Sequence, residues 1–379
     1  MFFKEITEMS NILNKAARFF KSQIVLCISF AAAIISMFII PPDREYLKYI
    51  DFSVIIMLFC LMGVAAGLKN AGIFEKITNG LLKLAGNLRI LSFILMNICF
   101  FSSMLVTNDV SLITFVPLTI MLYNGMGESK NCIITIIIQT AAANLGSMLT
   151  PVGNPQNLYL YTEYDLSIGF FLQTLLPIGL FSYILLSLLC LLVGNDKIKL
   201  KHQNSEPLKY PNLIVMSALF IVCILTVLRL VPHVVCLVIV CIGFLIEPKL
   251  FIKVDYALLL TFICFFVFVG NISRIEIVRD YLSGLMNGHE LFVSAISSQI
   301  ISNVPAAVML SAFTDNAREL LRGVNIGGLG TPVASLASLI SYQLYAKSKG
   351  ALKGKYMSIF LIINFAFLII LMLIARFVI

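Results

Sequence analysis

From Ile168 to Val193 the chain carries no charged residue, and similar runs occupy Ile24–Ile40 and Met357–Ile374. Each approaches or exceeds the roughly 20 apolar residues that cross a hydrocarbon core. Such runs constrain the fold more than any other feature, because lipid admits only helices or closed barrels. Composition agrees: 60% of the 379 residues are hydrophobic, 12% are charged, and mean hydropathy is +0.99. A soluble domain cannot cover its surface with so little charge. The expected fold is therefore an all-α polytopic membrane protein. The first apolar run follows about 21 polar and amphipathic residues, longer than the n-region of a signal peptide, so it reads as a permanent span.

The nine cysteines form no CxxC or Cys/His cluster and lie in or beside apolar segments, where a thiol acts as a small hydrophobe. The net charge of +8 would suggest nucleic acid for a soluble chain. In a membrane protein it reflects the excess of Lys and Arg in cytoplasmic loops, and no nucleic-acid partner is expected.

Breaks in the apolar pattern set the organisation. Full spans are expected near residues 23–41, 51–68, 167–193, 211–228, 232–246, 254–271 and 356–376. Segments 131–161 and 324–345 are long enough to cross but are interrupted, giving about nine spans in all. Residues 90–123 and 289–314 each read as two apolar arms of 14–17 residues joined at a short polar tip, Thr107-Asn108-Asp109 and Ser302-Asn303-Val304-Pro305. Irregular backbone survives at membrane depth only inside protein or a wet cavity, so both are expected to be re-entrant hairpins. With the N-terminus inside, 19 of the 27 Lys and Arg residues fall on the cytoplasmic side. That bias supports a cytoplasmic N-terminus and an external C-terminus.

Residues 144–154, NLGSMLTPVGN, align with 325–335, NIGGLGTPVAS. Thr107-Asn108 likewise matches Ser302-Asn303, and IFEKITNGLLKLAG matches ISRIEIVRDYLSGL as the amphipathic stretch ahead of each hairpin. Residues 23–193 form the first repeat, 194–228 a cytoplasmic loop and linking span, and 232–378 the second. Four crossings plus the linker invert the second copy. Loop charges agree: 69–90 carries +3 against −1 for 272–290, and 162–166 carries −2 against +4 for 346–355. Inverted repeats with discontinuous helices mark secondary transporters, whose site lies at the midplane between the halves.

The broken segments suggest the chemistry. Asn154-Pro155 and Thr331-Pro332 each set a capping side chain before a proline, the pattern of a helix start. Thr107-Asn108 and Ser302-Asn303 read the same way. Four half-helix N-termini would then point inward, each with about half a positive charge, and could hold an anion. Carbonyls near Val106, Gly146, Ile301 and Gly327, with the side chains of Asn108 and Asn303, could hold Na⁺. Gly146, Gly153 and Gly327 would let the backbone approach a ligand, and Asn144, Thr150, Pro151, Asn325, Pro332 and Ser335 complete the candidate set. Asp109 is the one acid placed near the membrane centre, which makes it a candidate proton carrier or cation ligand. The plainer alternatives are that Asp109 caps its arm and that the breaks are structural kinks. Gln139 and Gln299 read as helix-packing hydrogen bonders.

TNDVSLITFVP, NLGSMLTPVGNPQN, SNVPAAVML and NIGGLGTPVASLAS resemble the ion transporter superfamily. That group includes arsenite permeases, citrate–metal and dicarboxylate transporters, and a branch of sodium/proton antiporters. The resemblance covers most of residues 50–378. It implies two re-entrant hairpins, two broken helices, a scaffold that forms a homodimer, and an elevator-like transport domain. The dicarboxylate branch carries Ser-Asn-Thr tips, from which Asp109 and Val304 depart. The acid after Asn108 and the ending TPVASLAS look closer to arsenite permeases, whereas TPVGNPQN looks like the anion and citrate group.

These features point to a secondary transporter of a small anion, a di- or tricarboxylate or an inorganic oxyanion, in a prokaryotic cytoplasmic membrane. Na⁺ or H⁺ would be the coupling ion, with no other cofactor. A sodium/proton antiporter and an arsenite efflux permease are the alternatives. With no Walker A motif, HExxH or paired intramembrane aspartates, an enzyme is not expected.

Overall fold

A computed structural model describes residues 23–127, 129–198 and 208–378. The basic segment 1–22, on which the N-terminal orientation partly rests, and residues 199–207 of the expected cytoplasmic loop lie outside the described residues. The described chain is helical, with no strand. Helix α1 spans Ile24–Ile39, α2 Tyr46–Tyr49, α3 Phe52–Asn70, α4 Ile73–Leu82, α5 Leu88–Val106, α6 Asn108–Met126, α7 Ser129–Ser147, α8 Pro155–Glu163 and α9 Ile168–Leu189. Then follow α10 Tyr210–Val227, α11 His233–Phe244, α12 Leu250–Lys253, α13 Tyr256–Ser273, α14 Glu276–Met286 and α15 Glu290–Ile301. The chain closes with α16 Asn303–Ser311, α17 Ala317–Ile326, α18 Leu336–Ala346 and α19 Lys353–Phe377.

Caps placed by the sequence start the long helices. Asp51 accepts hydrogen bonds from the Ser53 and Val54 amides at the head of α3, and Asp255 does the same for the Leu258 amide at the head of α13. Each spares helix-start amides that have no partner within the helix. Ser167 caps α9 through the Phe170 amide.

Packing separates two kinds of helix. Ile184, Ile214, Ile242 and Ile369 are exposed, on α9, α10, α11 and α19. Apolar residues left outward on so many helices fit a lipid solvent rather than water. By contrast, α7 is buried almost throughout, and its polar Thr135, Gln139, Thr140 and Asn144 are buried too. A helix enclosed by protein carries such groups only if they are hydrogen-bonded, and these are: Thr140 Oγ1 donates to Ser341 Oγ at 2.7 Å, and Gln139 accepts from Thr119 Oγ1 at 2.8 Å.

Around this core, α1 lies along α13, while α10 and α11 lie along α3. Helices α5 and α6 form a two-armed unit whose first arm packs on α7, and α15 and α16 form another whose first arm packs on α17. The second arms cross over: α6 packs on α18, and α16 packs on α8. The second arms thus touch broken helices from both ends of the sequence.

Among the described residues, seven helices are long and apolar enough to cross a membrane: α3, α5, α6, α9 with the turn after it, α10, α13 and α19. The chain is a multi-pass helical membrane protein. Four expectations about its segments change. The arms of the first hairpin are 19 residues each, not 14–17, and both fall among the seven. The second hairpin has arms of only 12 and 9 residues. The second broken helix begins at Ala317 rather than 324, where Asn316 caps it through the Glu319 amide. Arg318, Glu319 and Arg322 made that turn read as a polar loop, but Arg322 is paired with Glu319 and buried. Finally, Thr331-Pro332 does not start a helix. Thr331 Oγ1 accepts the Ala334 amide in a local turn, and α18 starts at Leu336 behind Ser335.

Glycine sets the closest approach in this core. A Cβ at Gly146 would collide with the carbonyl of Phe100 on α5, and one at Gly327 would press on Ala295 and Ser298 of α15. We expect Gly146→Val to destabilise the fold by about 1–3 kcal/mol or more through overpacking. Thermal unfolding in detergent should show a clearly lower midpoint, whereas Gly284→Ala, where nothing lies within 4 Å, should not shift it.

Candidate substrate and ion site

The two hairpin tips share an unusual backbone. Thr107 has φ 72° and ψ 152°, and Ser302 has φ 74° and ψ 154°. Positive φ is rare outside glycine and is held only where surroundings enforce it. Here the next amide is tied to a break in its own half: Asn108 N–H donates to the Gly153 carbonyl at 3.2 Å, and Asn303 N–H to the Ala334 carbonyl at 2.9 Å. Gly153 and Ala334 are aligned when residues 144–154 are laid over 325–335. So are the donors of a second pair, Thr150 Oγ1 to the Met104 carbonyl at 2.6 Å and Thr331 Oγ1 to the Gln299 carbonyl at 3.1 Å.

Asparagines then tie the halves together. Asn144 Oδ1 accepts from Asn108 Nδ2 and from Ser335 Oγ, both at 3.0 Å, while Asn144 Nδ2 donates to Ser338 Oγ at 3.1 Å. In the reciprocal position, Asn325 Oδ1 accepts from Asn154 Nδ2 at 3.4 Å, and Asn325 Nδ2 donates to Asn157 Oδ1 at 2.7 Å. Asn154 also caps α8 by accepting the Asn157 amide at 3.0 Å, with Pro155 as the first helical residue.

This network aims four helix starts at one cleft. Its wall includes Asn108 and Asp109 of α6, Pro155 and Gln156 of α8, Ser302 to Pro305 around the start of α16, and Ser335 and Leu336 at the start of α18. The opposite wall is the beginning of α1, with Gln23, and of α13, with Asp255 and Thr261. The empty space is ≈ 800 Å³, its open mouth included. Among the described residues, no Lys or Arg lines it. Four helix N-termini supply about half a positive charge each, while Asp109 and Asp255 supply the negative charge. The Asp109 amide bonds Asn108 Oδ1 at 3.0 Å, and its own Oδ1 is buried with no hydrogen-bond partner among the described residues. A buried oxygen of that kind calls for a proton or a cation.

Of the residues singled out from sequence, Asn108, Asp109, Ser302, Asn303 and Ser335 line the cleft. Asn144, Asn154, Asn325, Thr150 and Thr331 stand behind it and hold the breaks. Pro151 and Pro332 lie in the non-helical turns of those breaks. Gly146, Gly153 and Gly327 face neighbouring backbone and side chains rather than the cleft. Two of the carbonyls expected to be free already accept hydrogen bonds: Gly146 from the Leu149 amide, and Gly327 from Gln299 Nε2 at 2.7 Å. Gln299 is the residue that sequence reasoning undervalued. It also donates to the Leu329 carbonyl and accepts the Thr331 amide, so it replaces the helical bonds lost in the second break. Asn157 and Ser338 were missed as well, although the register that aligns Asn154 with Ser335 also aligns them. Asp255 could have been found by its likeness to Asp51, since each caps a long apolar helix, α13 and α3. Among the described residues, no group of three His, Cys, Asp or Glu could hold a metal.

Comparisons with known proteins agree with this architecture. The family profile described as Citrate transporter matches residues 22–323. The transporter MJ0456 of Methanocaldococcus jannaschii is 32% identical over 93% of this chain and 97% of its own length. The inner membrane protein YbiR of Escherichia coli is 30% identical over 86% of this chain and 87% of its own. The solved YdaH transporter of Alcanivorax borkumensis shares the fold, with a TM-score of 0.55 at 12% identity, over 88% of this chain and 86% of that one.

Because Asn144 and Ser335 exchange a buried hydrogen bond, Asn144→Ala and Ser335→Ala should be coupled. A double-mutant cycle on unfolding free energy is expected to give about 0.5–3 kcal/mol of interaction, against near additivity for distant, independent pairs. Additivity of the two would show that the bond does not stabilise the assembled breaks.

Proposed function

Because this chain belongs to the citrate transporter family, and so is a membrane transporter, we propose that it is a secondary transporter of a small anion. The substrate class is a di- or tricarboxylate or an inorganic oxyanion, coupled to Na⁺ or H⁺. The observation that carries this reading is the convergence of four half-helix N-termini on one cleft whose wall holds no Lys or Arg among the described residues. Helix starts hold anions through free amides and aligned dipoles. They do so without a strong point charge, which favours release as well as capture.

In this reading the two halves are an inverted-topology repeat, and both two-armed units are re-entrant hairpins. Matched hydrogen bonds at Thr107/Ser302, Thr150/Thr331 and Asn144/Asn325 support that view, as does the crossing over of the second arms. The N-terminus is cytoplasmic and the C-terminus external, in the cytoplasmic membrane, as the name of the E. coli relative suggests for its own case. The working unit is a homodimer in which the hairpins and broken helices move against α1, α3, α10, α11 and α13. Na⁺ would sit at the tips, between Asn108, Asn303 and nearby backbone oxygens.

One observation favours a second reading. The unpartnered Asp109 oxygen suits a proton carrier, and a sodium/proton antiporter needs no anion. Arsenite efflux is a third reading, which rests on the sequence resemblance alone.

The two leading readings separate in proteoliposomes. Uptake of labelled citrate, succinate or sulfate that requires a Na⁺ or H⁺ gradient supports the first. Sodium flux driven by pH without any added anion supports the second. Under either, Asp109→Asn should cut coupled flux at least tenfold and flatten its dependence on pH or Na⁺. Unchanged dependence in that variant would remove Asp109 from the coupling role.

A further inference from the structure

A second cavity lies between α8, one of the broken-helix segments, and the helices it is read to move against. Its empty space is ≈ 880 Å³, open mouth included. Ser53 and Met57 of α3, with Pro232 and His233 at the start of α11, line one side. The last turn of α8, with Tyr161 and Thr162, lines the other. The first turn of the same helix, Pro155 and Gln156, lines the central cleft. The two cavities therefore sit at opposite ends of α8.

Their walls correspond. Ser53 and Met57 stand two and six places after Asp51, the cap of α3. Ala257 and Thr261 of the central cleft stand two and six places after Asp255, the cap of α13. The start of α1 flanks α13 in the cleft, as the start of α11 flanks α3 in the second cavity. In the inverted-repeat reading, α1 and α13 are the counterparts of α11 and α3. Each half then offers the moving body a wall of the same construction, one toward each side of the membrane. In this conformation the tip residues Asn108 and Asn303 line the cleft and not the second cavity.

Arg229 bridges the boundary at the second cavity, where it is part of the wall. It lies in the turn between α10 and α11, and its Nη1 is 2.7 Å from Oδ1 of Asp165, just after α8. Its Nη2 donates to the Tyr161 carbonyl at 3.4 Å, and its guanidinium lies 5.3 Å from the centre of the Tyr161 ring. Arg229 has φ 63° and Asp165 φ 51°. Among the described residues other than glycine, only the two hairpin tips share a positive φ. Such strain gathers at clamps and switches. The side chains are 44% and 87% exposed, so the ion pair is weak. Weakness suits a contact that breaks and reforms in every cycle.

We propose that the second cavity is the closed vestibule of the opposite conformation, and that Arg229, held by Asp165 and Tyr161, is its gate. The inference rests on the moving-body reading above and assigns that motion a residue contact. When the body shifts, the contact breaks, the tips come to face the α3 wall, and the cleft beside α13 closes.

The test uses the full chain in detergent with two reporter thiols, Leu336→Cys in the central cleft and Met57→Cys in the second cavity. A water-soluble thiol reagent reads each, with the unmodified chain as the blank for its nine native cysteines. Arg229→Gln should speed labelling at position 57 and slow it at position 336. The ratio of the two rates should rise about two- to fivefold, the scale of one exposed ion pair. Asp165→Asn should act in the same sense. A rise at position 57 alone, or no change at either, overturns the inference and leaves a surface ion pair. Citrate, sulfate and sodium are then added separately with the ion pair intact. Opposite shifts of the two reporters under any of them uphold the moving-body reading whatever Arg229→Gln does. If no condition, that variant included, shifts them in opposite senses, the moving-body reading fails and the inference falls with it.

Discussion

A helix opened inside a protein exposes amides and carbonyls that neither lipid nor distant water can satisfy. The whole centre of this molecule answers that constraint. The breaks between α7 and α8 and between α17 and α18 are tied down by side chains: Thr150 and Thr331 reach from the breaks to carbonyls of α5 and α15, and Gln299 of α15 bonds backbone groups of the second break. Asn157 Nδ2 does similar work in the first, donating to the Met148 carbonyl at 3.1 Å. The far end of each break is a helix start that faces the cleft, α8 behind the Asn154 cap and α18 behind Ser335.

The same constraint explains why neither half stands alone. Asn144 of the first half needs Ser335 and Ser338 of the second, and Asn325 of the second needs Asn154 and Asn157 of the first. Each asparagine has both donor and acceptor groups to satisfy once buried. A chain cut between α9 and α10 would leave both sets unpaired. The pairing is long-range, with partners more than 160 residues apart, so the site assembles only after most of the chain has been laid down.

Much of this was legible in the sequence because lipid imposes a strong grammar. Apolar runs located the long spans such as α3, α9, α10, α13 and α19 closely, and the aligned Asn, Gly, Thr and Pro residues pointed to both breaks. What escaped is instructive. The start of α17 was hidden because Arg318, Glu319 and Arg322 look like a solvated loop. Their burial depends on a pairing that periodicity cannot show. The helix start assigned to Thr331-Pro332 followed a local rule that is correct elsewhere, but Ser335 lies in register with Asn154, and tertiary register prevailed. Glycines read as ligand contacts turned out to be contact points between helices, a distinction that requires knowing what lies opposite. Of the candidate site, the tips were visible and the supporting residues Asn157, Gln299 and Ser338 were not. Amides and hydroxyls inside apolar runs look alike whether they hold a break or pack a helix.

The hairpin tips carry nearly the same φ and ψ in two different residues, so their shape is set by the surrounding bonds and not by side-chain type. One position later that equivalence ends: Asp109 stands where the other tip has Val304. The frame is therefore duplicated in form but polarised in charge. An elongated guest held between the tips would meet unlike neighbours at its two ends. Its head and tail become distinguishable, and a molecule symmetric in itself would acquire a direction on binding.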